Sequence, residues 1–162
     1  MAWYLAFSSL TGRWVKVANE ADIIAASLCR RFEGLFLRPY LCPAGVATIG
    51  YGTTRYENGL RVSLSDPPIS RERAEELLLW ELKGCAASVD RLCPGQETNT
   101  RAALIDFTYN LGAGRLASST LRKRINAGDR DGARLEIKKW CRGGGKELRG
   151  LKLRRTAEAA LI

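Results

Sequence analysis

Three polar residues in the first third of the chain have types and spacing that could support acid–base chemistry. Glu33 falls at the predicted end of a helix, where the helix dipole and neighbouring apolar side chains disfavour a charged carboxylate. A carboxyl group kept protonated in this way is suited to act as a general acid. Cys42 follows nine residues later, and Thr48 six residues after that.

An acid that faces a polar group and a hydroxyl across a water molecule is arranged for inverting hydrolysis of a glycosidic bond. The same three residues also suit structural roles, as a carboxylate near a helix cap, a buried thiol and a strand hydroxyl. On spacing alone the structural interpretation is the stronger one, so the spacing does not by itself establish a catalytic site.

The composition narrows the chemistry further, because the 162-residue chain contains no histidine. This excludes Ser–His–Asp and Cys–His nucleophile pairs and every metal site with a histidine ligand. An enzyme with this sequence must use carboxylates, cysteine, lysine, tyrosine or hydroxyl groups. The 26 Lys and Arg residues exceed the 17 Asp and Glu residues, which favours anionic partners such as nucleic acid, acidic membrane or bacterial cell wall.

The five cysteines are scattered and none belongs to a C-x-x-C pair, which makes a zinc site with the usual spacing improbable. A chain of this length can bury an adequate core without disulfides. We therefore expect mostly buried, reduced thiols rather than a disulfide framework. The cysteines stand at positions 29, 42, 85, 93 and 141.

Residues 1–18 form an extension ahead of the first predicted helix. The apolar residues 1–10 are too few to span a membrane, and they lack the charged start and cleavage site of a signal peptide. The alternation around Thr11 and Gly12 predicts a small β-hairpin. The role of this extension is open between a packed addition and weak membrane contact.

The elements around the three polar residues are a helix and a small β-lobe. Asn19 is typical of an N-cap, and the helix after it should reach about residue 33. Residues 35–64 are rich in proline, glycine and β-branched residues, which predicts a lobe with a strand over residues 46–49 and Tyr51 and a turn at residues 57–59. A lobe of this size cannot fold alone.

A larger group of helices should support that lobe. Ser70 caps a helix that runs at helical spacing towards Leu92 and is long enough to link two lobes. Further helices are predicted over about residues 102–111, 120–127, 129–140 and 151–161. The sequence therefore predicts an α+β fold, in which a small sheet lobe packs on a bundle of helices.

Several motifs in a fixed order resemble the phage-type lysozymes of glycoside hydrolase family 24. The pattern Glu33-x8-Cys42-x5-Thr48, followed by Ile-Gly-Tyr-Gly, resembles their catalytic motif. Residues 69–78 resemble the start of their long interdomain helix, and residues 102–114 resemble their buried central helix. Matching positions continue at residues 119–121, 126–129, 140 and 150–158. The resemblance covers about residues 20–162, and it reverses the preference for purely structural roles.

The resemblance implies a lysozyme-like domain over residues 19–162, with an active-site cleft between the β-lobe at 35–64 and a helical lobe formed by residues 71–162 and the first helix. It implies no metal and no organic cofactor. Glu33 would be the general acid, and Thr48 would help to place the attacking water.

Cys42 departs from the commonest form of the motif, because many members have aspartate there and others have cysteine. A thiol is mostly protonated near pH 7 unless its pKa is lowered. Cys42 could orient water as a neutral group, or act as base or nucleophile if Arg38 or Arg55 favours its thiolate. Some membrane-tethered relatives use disulfide switching, so a Cys29–Cys42 bridge that disables the site is a further alternative. The simpler interpretation is two reduced thiols.

The resemblance also implies residues that contact the substrate. Thr54 and Thr120 match polar positions that line the cleft, while Tyr109 and Asn110 end the central helix beside it. An aromatic ring can pack on a sugar face, and an amide can hydrogen bond acetamido groups. Tyr109 suits a core position equally well, and we expect Trp140 in the core of the helical lobe.

The implied activity is that of a muramidase, which cleaves the β-1,4 bond between N-acetylmuramic acid and N-acetylglucosamine in peptidoglycan and lyses the host of a phage or prophage. We expect a monomer that has bacterial peptidoglycan, not nucleic acid, as its partner. It would wait in the host cytoplasm until a holin permeabilises the membrane, then act at the periplasm and cell wall. Basic residues in the C-terminal half would favour transient contact with the anionic envelope.

The alternative from another class is a basic binding module without catalysis. Nucleic-acid binding lacks support, because no basic recognition helix with base-reading residues stands out. A lysozyme fold that only binds cell wall is harder to exclude, since Cys42 replaces a common carboxylate.

Overall fold

The computed structural model describes residues 4–8, 13–17 and 19–162. Its helices and strands alternate irregularly along the chain, with strands in short antiparallel pairs. The helices are α1 Glu20–Phe32, α2 Arg71–Leu92, α3 Thr98–Leu111, α4 Ala113–Ser118, α5 Thr120–Asn126, α6 Arg130–Lys138 and α7 Arg149–Ala159. The strands are β1 Tyr4–Ser8, β2 Arg13–Val17, β3 Phe36–Leu41, β4 Ala47–Gly50, β5 Arg142–Gly143 and β6 Lys146–Glu147.

The first two strands lie in the N-terminal extension and pair antiparallel, with Tyr4 opposite Val17 and Ser8 opposite Arg13. This pairing confirms the predicted hairpin. Thr11 and Gly12, on which the prediction was based, lie outside the described residues.

The β-lobe is built on the hairpin of β3 and β4, in which Tyr40 lies opposite Thr48 and the register shifts between Phe36 and Tyr40. The predicted strand at Tyr51 is wrong. The flanking Gly50 and Gly52 have φ values of 65° and 114°, which turn the chain out of the strand at a cost that only glycine avoids. The predicted turn at residues 57–59 is confirmed, since the Gly59 N–H donates to the Tyr56 carbonyl at 2.9 Å.

Helix starts follow the capping residues read from the sequence. The side chains of Asn19, Ser70, Ser119 and Asp129 each accept a hydrogen bond from a backbone N–H in the first turn of α1, α2, α5 and α6. These bonds satisfy N–H groups that the helix itself leaves without partners. The sequence thus located the starts of four helices correctly.

Other helix boundaries differ from the predictions. Helix α3 begins at Thr98 rather than 102, α6 ends at Lys138 rather than 140, and α7 begins at Arg149 rather than 151. Helix α4 and the β5–β6 hairpin were not predicted. Both are too short to show a periodic pattern, and the hairpin turns at Gly144 and Gly145, which have positive φ.

The core surrounds α3, whose residues 102–108 are all buried. Helices α1, α2 and α7 all pack against α3. Trp140 is packed on this core and meets Phe107 edge to face, with ring centroids 5.5 Å apart. This contact confirms the expectation that Trp140 is a core residue.

The five cysteines are free in this structure. Cys29, Cys93 and Cys141 are buried, while Cys42 and Cys85 are partly exposed. In the described part of the chain, no helix combines the length and hydrophobicity needed to cross a membrane.

Candidate active site

Glu33 leaves the C-terminal end of α1 with its side chain 26% exposed, so that the carboxyl group reaches the surface. The Glu33 N–H donates to the Cys29 carbonyl at 2.8 Å, which holds the residue against the last turn of the helix. The wall opposite the carboxylate is open at Gly52, where a Cβ atom would lie 4.0 Å from Glu33 Oε2. The acid candidate therefore stands at an accessible edge between α1 and the β-lobe.

The surroundings of the Glu33 carboxylate differ from the apolar setting expected from the sequence. Arg154 Nη1 lies 2.5 Å from Glu33 Oε1 and forms a salt bridge with it. Phe32 and Leu35 are close in sequence but only partly buried, and Phe36 is 46% exposed. The expectation of an apolar pocket is therefore wrong, because α7 brings a cation to Glu33 from 121 residues further along the chain.

Arg154 is itself held by a second, fully buried carboxylate. Its Nε donates to Asp106 Oδ2 at 2.9 Å and its Nη2 donates to Asp106 Oδ1 at 2.7 Å. Burial alone would lower the pKa of Arg154, but the hydrogen bonds with Asp106 outweigh burial and raise it. The two parallel bonds fix the plane of the guanidinium and hence the position from which it meets Glu33.

Burial alone would raise the pKa of Asp106, but its hydrogen bonds, that with Arg154 foremost, lower it instead. The Cys29 thiol also donates to Asp106 Oδ1, with the two heavy atoms 3.1 Å apart. Burial, followed by the Asp106 charge, raises the pKa of Cys29 far above its usual value, so this thiol stays neutral. Cys29 thus acts as a hydrogen-bond donor behind the site.

A second buried pair lies beside the first on α7. Arg155 Nη2 approaches Glu158 Oε1 at 2.6 Å and donates to Asn110 Oδ1 at 3.2 Å. Burial raises the pKa of Glu158 well above its usual value, with a further increase from its hydrogen bond with Asp106. The carbonyl end of Asn110, a predicted substrate contact, is therefore occupied by Arg155, while its amide NH₂ group is not part of this bond.

Cys42 and Thr48 share the hairpin of β3 and β4, and both bond to the same carbonyl. The Cys42 N–H donates to Val46 O at 3.0 Å, and the Thr48 hydroxyl donates to it at 2.9 Å. Hydrogen bonds to the Val46 and Ala44 backbone lower the pKa of Cys42. These backbone groups, and neither of the arginines considered from the sequence, Arg38 and Arg55, have the largest effect on the pKa of the thiol.

Tyr40 connects Glu33 with the hairpin. Burial is the main cause of its raised pKa, and the negative charges of Cys42 and Glu33 add to it. Both groups therefore act on the same phenol from nearby, and Thr48 lies opposite Tyr40 in the strand pairing. Tyr40, Cys42 and Thr48 therefore share one hairpin, and the charge of Glu33 also acts on Tyr40.

Tyr109 ties the end of α3 to the β-lobe. Its hydroxyl donates to the Tyr51 carbonyl at 2.8 Å, and it lies 3.7 Å from the position of a Cβ at Gly52. Burial raises the pKa of Tyr109 strongly. Tyr109 therefore packs against the core, as considered from the sequence. Its hydroxyl also lies near Gly52, and so does the Glu33 carboxylate.

The other two predicted substrate contacts, Thr54 and Thr120, are both exposed. Thr54 follows Gly52 in the β-lobe, and its carbonyl accepts from the Val62 N–H at 3.0 Å. Thr120 is the first residue of α5, in the helical lobe.

Sequence reasoning missed Arg154 and Asp106. A signal for Asp106 was present, because a carboxylate in the otherwise apolar run of α3 needs a buried cationic partner. The partner could not be chosen from sequence, since Arg154 and Arg155 are adjacent on α7 and only the packed structure separates their roles.

A cavity of about 580 Å³ lies between α2 and the α3–α4 junction, with Trp80, Cys85, Thr108 and Gly112 in its lining. Glu81 also contributes to it, and burial raises the pKa of that carboxyl. The lining includes neither Glu33 nor Cys42 nor Thr48.

The described residues contain no group of three or more His, Cys, Asp or Glu side chains placed to hold a metal ion. A carboxyl group can transfer a proton, and a hydroxyl can orient a water molecule, so Glu33 and Thr48 are groups of a type suited to acid–base chemistry.

The arrangement of a helix-end carboxylate, a small β-hairpin and a buried central helix is lysozyme-like. The solved structure of the endolysin from Escherichia coli O157:H7 phage FAHEc1 superimposes with a TM-score of 0.76 at 35% identity, covering 85% of this chain and 89% of that one. The phage lysozyme profile matches residues 30–158. The chain therefore belongs to the phage lysozyme family.

Individual relatives agree with this assignment. The endolysin of Acyrthosiphon pisum secondary endosymbiont phage 1 is 36% identical over 140 residues, which cover 83% of this chain and 92% of that protein. The endolysin of Bacillus phage B103 is 37% identical over 139 residues, 84% of this chain. The match spans 51% of the Bacillus phage protein, so this chain corresponds to about half of that relative.

Proposed function

We propose that this chain is a muramidase that hydrolyses the β-1,4 bond between N-acetylmuramic acid and N-acetylglucosamine in peptidoglycan. As a member of the phage lysozyme family, it is a glycoside hydrolase of the endolysin type. The observation that carries the proposal is the accessible Glu33 carboxyl, held by a buried Arg154 and with Oε2 near Gly52 at the end of the β-lobe hairpin.

Glu33 is the general acid in this proposal and protonates the glycosidic oxygen of the leaving sugar. Asp106 already balances the charge of Arg154 through two hydrogen bonds, so Glu33 is not the only counter-ion of the guanidinium. The second Glu33 oxygen, Oε2, lies towards Gly52 and is free to carry the proton. Arg154 positions the carboxyl group without occupying both of its oxygens.

Cys42 and Thr48 place the attacking water on the opposite face of the sugar. The Thr48 hydroxyl donates its proton to Val46 O, so its oxygen lone pairs remain available to accept from a water. Hydrogen bonds to the loop backbone favour the thiolate of Cys42, which makes the sulfur a base for that water. Attack by water opposite to the leaving oxygen inverts the anomeric configuration.

The proposed substrate contacts are Thr54, Tyr109, Asn110 and Thr120. The Tyr109 hydroxyl oxygen lies beside Gly52, as does the Glu33 carboxylate. Because Arg155 occupies the Asn110 carbonyl, the amide NH₂ of Asn110 is available to donate to an acetamido carbonyl. Thr54 and Thr120 would bind sugar hydroxyls from the β-lobe and the helical lobe respectively.

In the host cell, the enzyme would act as a monomer that reaches peptidoglycan from the cytoplasm after a holin permeabilises the membrane. Its surplus of basic residues supports transient contact with the anionic envelope. A basic module that binds cell wall without cutting it is the second candidate, favoured only by the cysteine at position 42.

Hydrolysis is tested by mixing purified chain with isolated peptidoglycan and following both turbidity and the new reducing ends. The wild type should release fragments that end in N-acetylmuramic acid. Glu33→Gln cannot donate the proton and should be slower by about 100-fold or more. Glu72→Gln, an exposed carboxyl change at the start of α2, is the matched control and should behave as wild type.

Two results would contradict the proposal. Wall binding without new reducing ends from the wild type would favour the binding module. Full activity of Glu33→Gln would remove the acid assignment.

The role of the thiol is tested separately with Cys42→Ser and with the anomeric configuration of the first product. Inverted product and a marked loss in Cys42→Ser support a sulfur base. Retained configuration contradicts the inverting mechanism, and full activity of Cys42→Ser shows that no thiol is required.

A further inference from the structure

The charge of this chain is distributed unevenly between its two parts. Residues 1–112 contain 12 Lys and Arg and 12 Asp and Glu, so they are formally neutral. Residues 113–162 contain 14 Lys and Arg against five Asp and Glu, and this surplus of nine is the whole net charge. The segment from α4 to α7 therefore carries all of the positive surplus.

The densest part of this surplus is the segment of residues 138–152, which includes β5 and β6. It contains six cations and one carboxylate, Glu147, and the cations are all exposed. Two of the six are paired, Lys139 with Glu136 and Lys152 with Glu147. The cations are Lys138, Lys139, Arg142, Lys146, Arg149 and Lys152, which we call the cationic hairpin surface.

The fold gathers these cations in one place. The hairpin pairs Arg142 with Glu147 and Gly143 with Lys146, and it joins the end of α6 to the start of α7. Helices α6 and α7 pack against each other. The segment therefore folds back on itself, and its cations lie on two adjacent strands and on the ends of two helices that pack together.

Exposed leucines are interspersed with the cations at helical spacing. On α6, Leu135 is 65% exposed and stands three and four residues before Lys138 and Lys139. On α7, Leu153 is 53% exposed and shares a face with Arg149. Leu148, between the hairpin and α7, is 45% exposed. The surface is thus apolar as well as cationic.

This combination fits the surface of an anionic bilayer better than a dissolved anionic polymer. Lipid phosphates attract the lysines and arginines, and the boundary between headgroups and acyl chains accommodates leucine side chains. A dissolved polymer would use the charges and leave the leucines in water. The buried Arg154 and Arg155 are balanced by Asp106 and Glu158 and take no part.

We propose that the cationic hairpin surface, with Leu135, Leu148 and Leu153, binds the anionic headgroup surface of a lipid bilayer. The proposal refines the envelope contact suggested above, and it does not depend on hydrolysis of peptidoglycan. None of its residues belongs to the group around Glu33, so binding and catalysis can be measured independently.

The test is co-sedimentation of the full chain with vesicles of phosphatidylglycerol and phosphatidylethanolamine, and with vesicles of phosphatidylcholine alone. The wild type should bind the vesicles that contain phosphatidylglycerol at least tenfold more tightly than the vesicles of phosphatidylcholine alone. The triple change Lys138→Gln, Lys146→Gln and Arg149→Gln should weaken this binding at least tenfold. The matched control carries Arg61→Gln, Arg71→Gln and Arg91→Gln, three exposed arginines of residues 1–112. Its affinity for the anionic vesicles should stay within twofold of the wild type.

The leucines are tested at constant charge with Leu135→Ser and Leu153→Ser together. This variant should bind anionic vesicles several-fold more weakly, yet bind soluble polyphosphate as the wild type does. Equal losses in the two triple variants would overturn the proposal, because they would show an effect of net charge alone. Unchanged vesicle binding in the leucine variant would also overturn it, in favour of an anionic polymer.

Activity on isolated peptidoglycan distinguishes this proposal from the proposed function. The Lys138, Lys146 and Arg149 variant should release reducing ends as the wild type does while failing to bind vesicles. If the wild type binds vesicles but releases none, the lipid contact stands and the hydrolase assignment fails.

Discussion

The guanidinium of Arg154 is shared between two carboxylates with different surroundings. Asp106 is fully buried and holds the guanidinium with two hydrogen bonds, whereas Glu33 is partly exposed and meets it with one oxygen. A buried ion pair of this kind is costly to break, because removal of one partner leaves the other charge without compensation. The stability of the site and the position of its acid therefore depend on the same residue.

This dependence predicts the effect of removing the buried charge. Asp106→Asn leaves Arg154 buried with a weaker counter-charge, and the amide places an N–H group against an N–H donor. The free energy of unfolding should fall by about 3 kcal/mol, measured by urea denaturation.

The matched control is Asp90→Asn, which alters an exposed pair with Arg101 and should cost less than about 1 kcal/mol. Similar losses of stability in the two variants would show that the buried pair of Asp106 and Arg154 stabilises the protein no more than the exposed pair does. Because the pKa of Asp106 is lowered in the folded state, its contribution is present above the pKa of an unfolded aspartate, about 4, and is lost as the pH falls below that value.

The cysteines should differ sharply in their reactivity. The pKa of Cys42 is lowered by backbone hydrogen bonds, whereas burial raises the pKa of Cys85 and of Cys93 to about 11. The thiolate is the reactive form, so iodoacetamide at pH 7.5 should modify Cys42 first. Peptide mass mapping over time measures this order.

In Cys42→Ser the fast modification should disappear while the slow ones continue unchanged. Faster alkylation of Cys85 than of Cys42 in the wild type would contradict the assignment of a low-pKa thiol to the hairpin.

Among the helices and strands, the features that the sequence predicted are those that depend on residues close together in the chain. Caps at Asn19, Ser70, Ser119 and Asp129 are local hydrogen bonds, and their residue types alone indicated them. Two members of the motif from Glu33 to Thr48, Cys42 and Thr48, belong to a single hairpin, so their grouping also involves neighbouring residues. These features involve short separations along the chain.

The remaining elements and contacts depend on longer separations or on very short segments. The β5–β6 hairpin has strands of two residues, too short for an alternating pattern. The bond between Arg154 and Glu33 joins residues 121 positions apart, so no local pattern contains it. The prediction of apolar surroundings for the Glu33 carboxylate was wrong for this reason.

The cap of α2 offers a test at this scale. The Ser70 hydroxyl accepts from the Arg73 N–H at 3.1 Å, and Ser70→Ala should lower the free energy of unfolding by about 1 kcal/mol. Ser88 lies on the same helix and bonds only to the Gly84 carbonyl, so Ser88→Ala is the matched control.

Thermal or urea unfolding monitored by circular dichroism measures both variants. The control should change stability by less than half as much, since α2 has no N–H group that depends on Ser88. Equal effects would indicate that the side-chain bond at Ser70 does not stabilise the helix.

For the whole molecule, the N-terminal hairpin is the part most easily separated from the rest. The match to the phage lysozyme family begins at residue 30, and the caps and core of the lysozyme-like domain begin at Asn19. We propose that residues 1–18 are an extension outside the catalytic domain. A chain that starts at Asn19 should keep its helical circular dichroism and its activity on isolated peptidoglycan within about threefold.

Loss of folding in the shortened chain would show that β1 and β2 belong to the domain. A useful comparison is a chain that lacks residues 150–162, which removes Arg154 and should abolish both structure and activity.

Because Arg154 lies on α7, the position of Glu33 depends on a helix far along the chain. The guanidinium that holds the candidate acid lies 121 residues after it in the chain, on a different helix. A chain that is unfinished, or cut after α6, holds Glu33 without its partner and Asp106 as a buried charge without compensation. A chain cut between α6 and α7 should therefore lose both its stability and the positioning of its candidate acid.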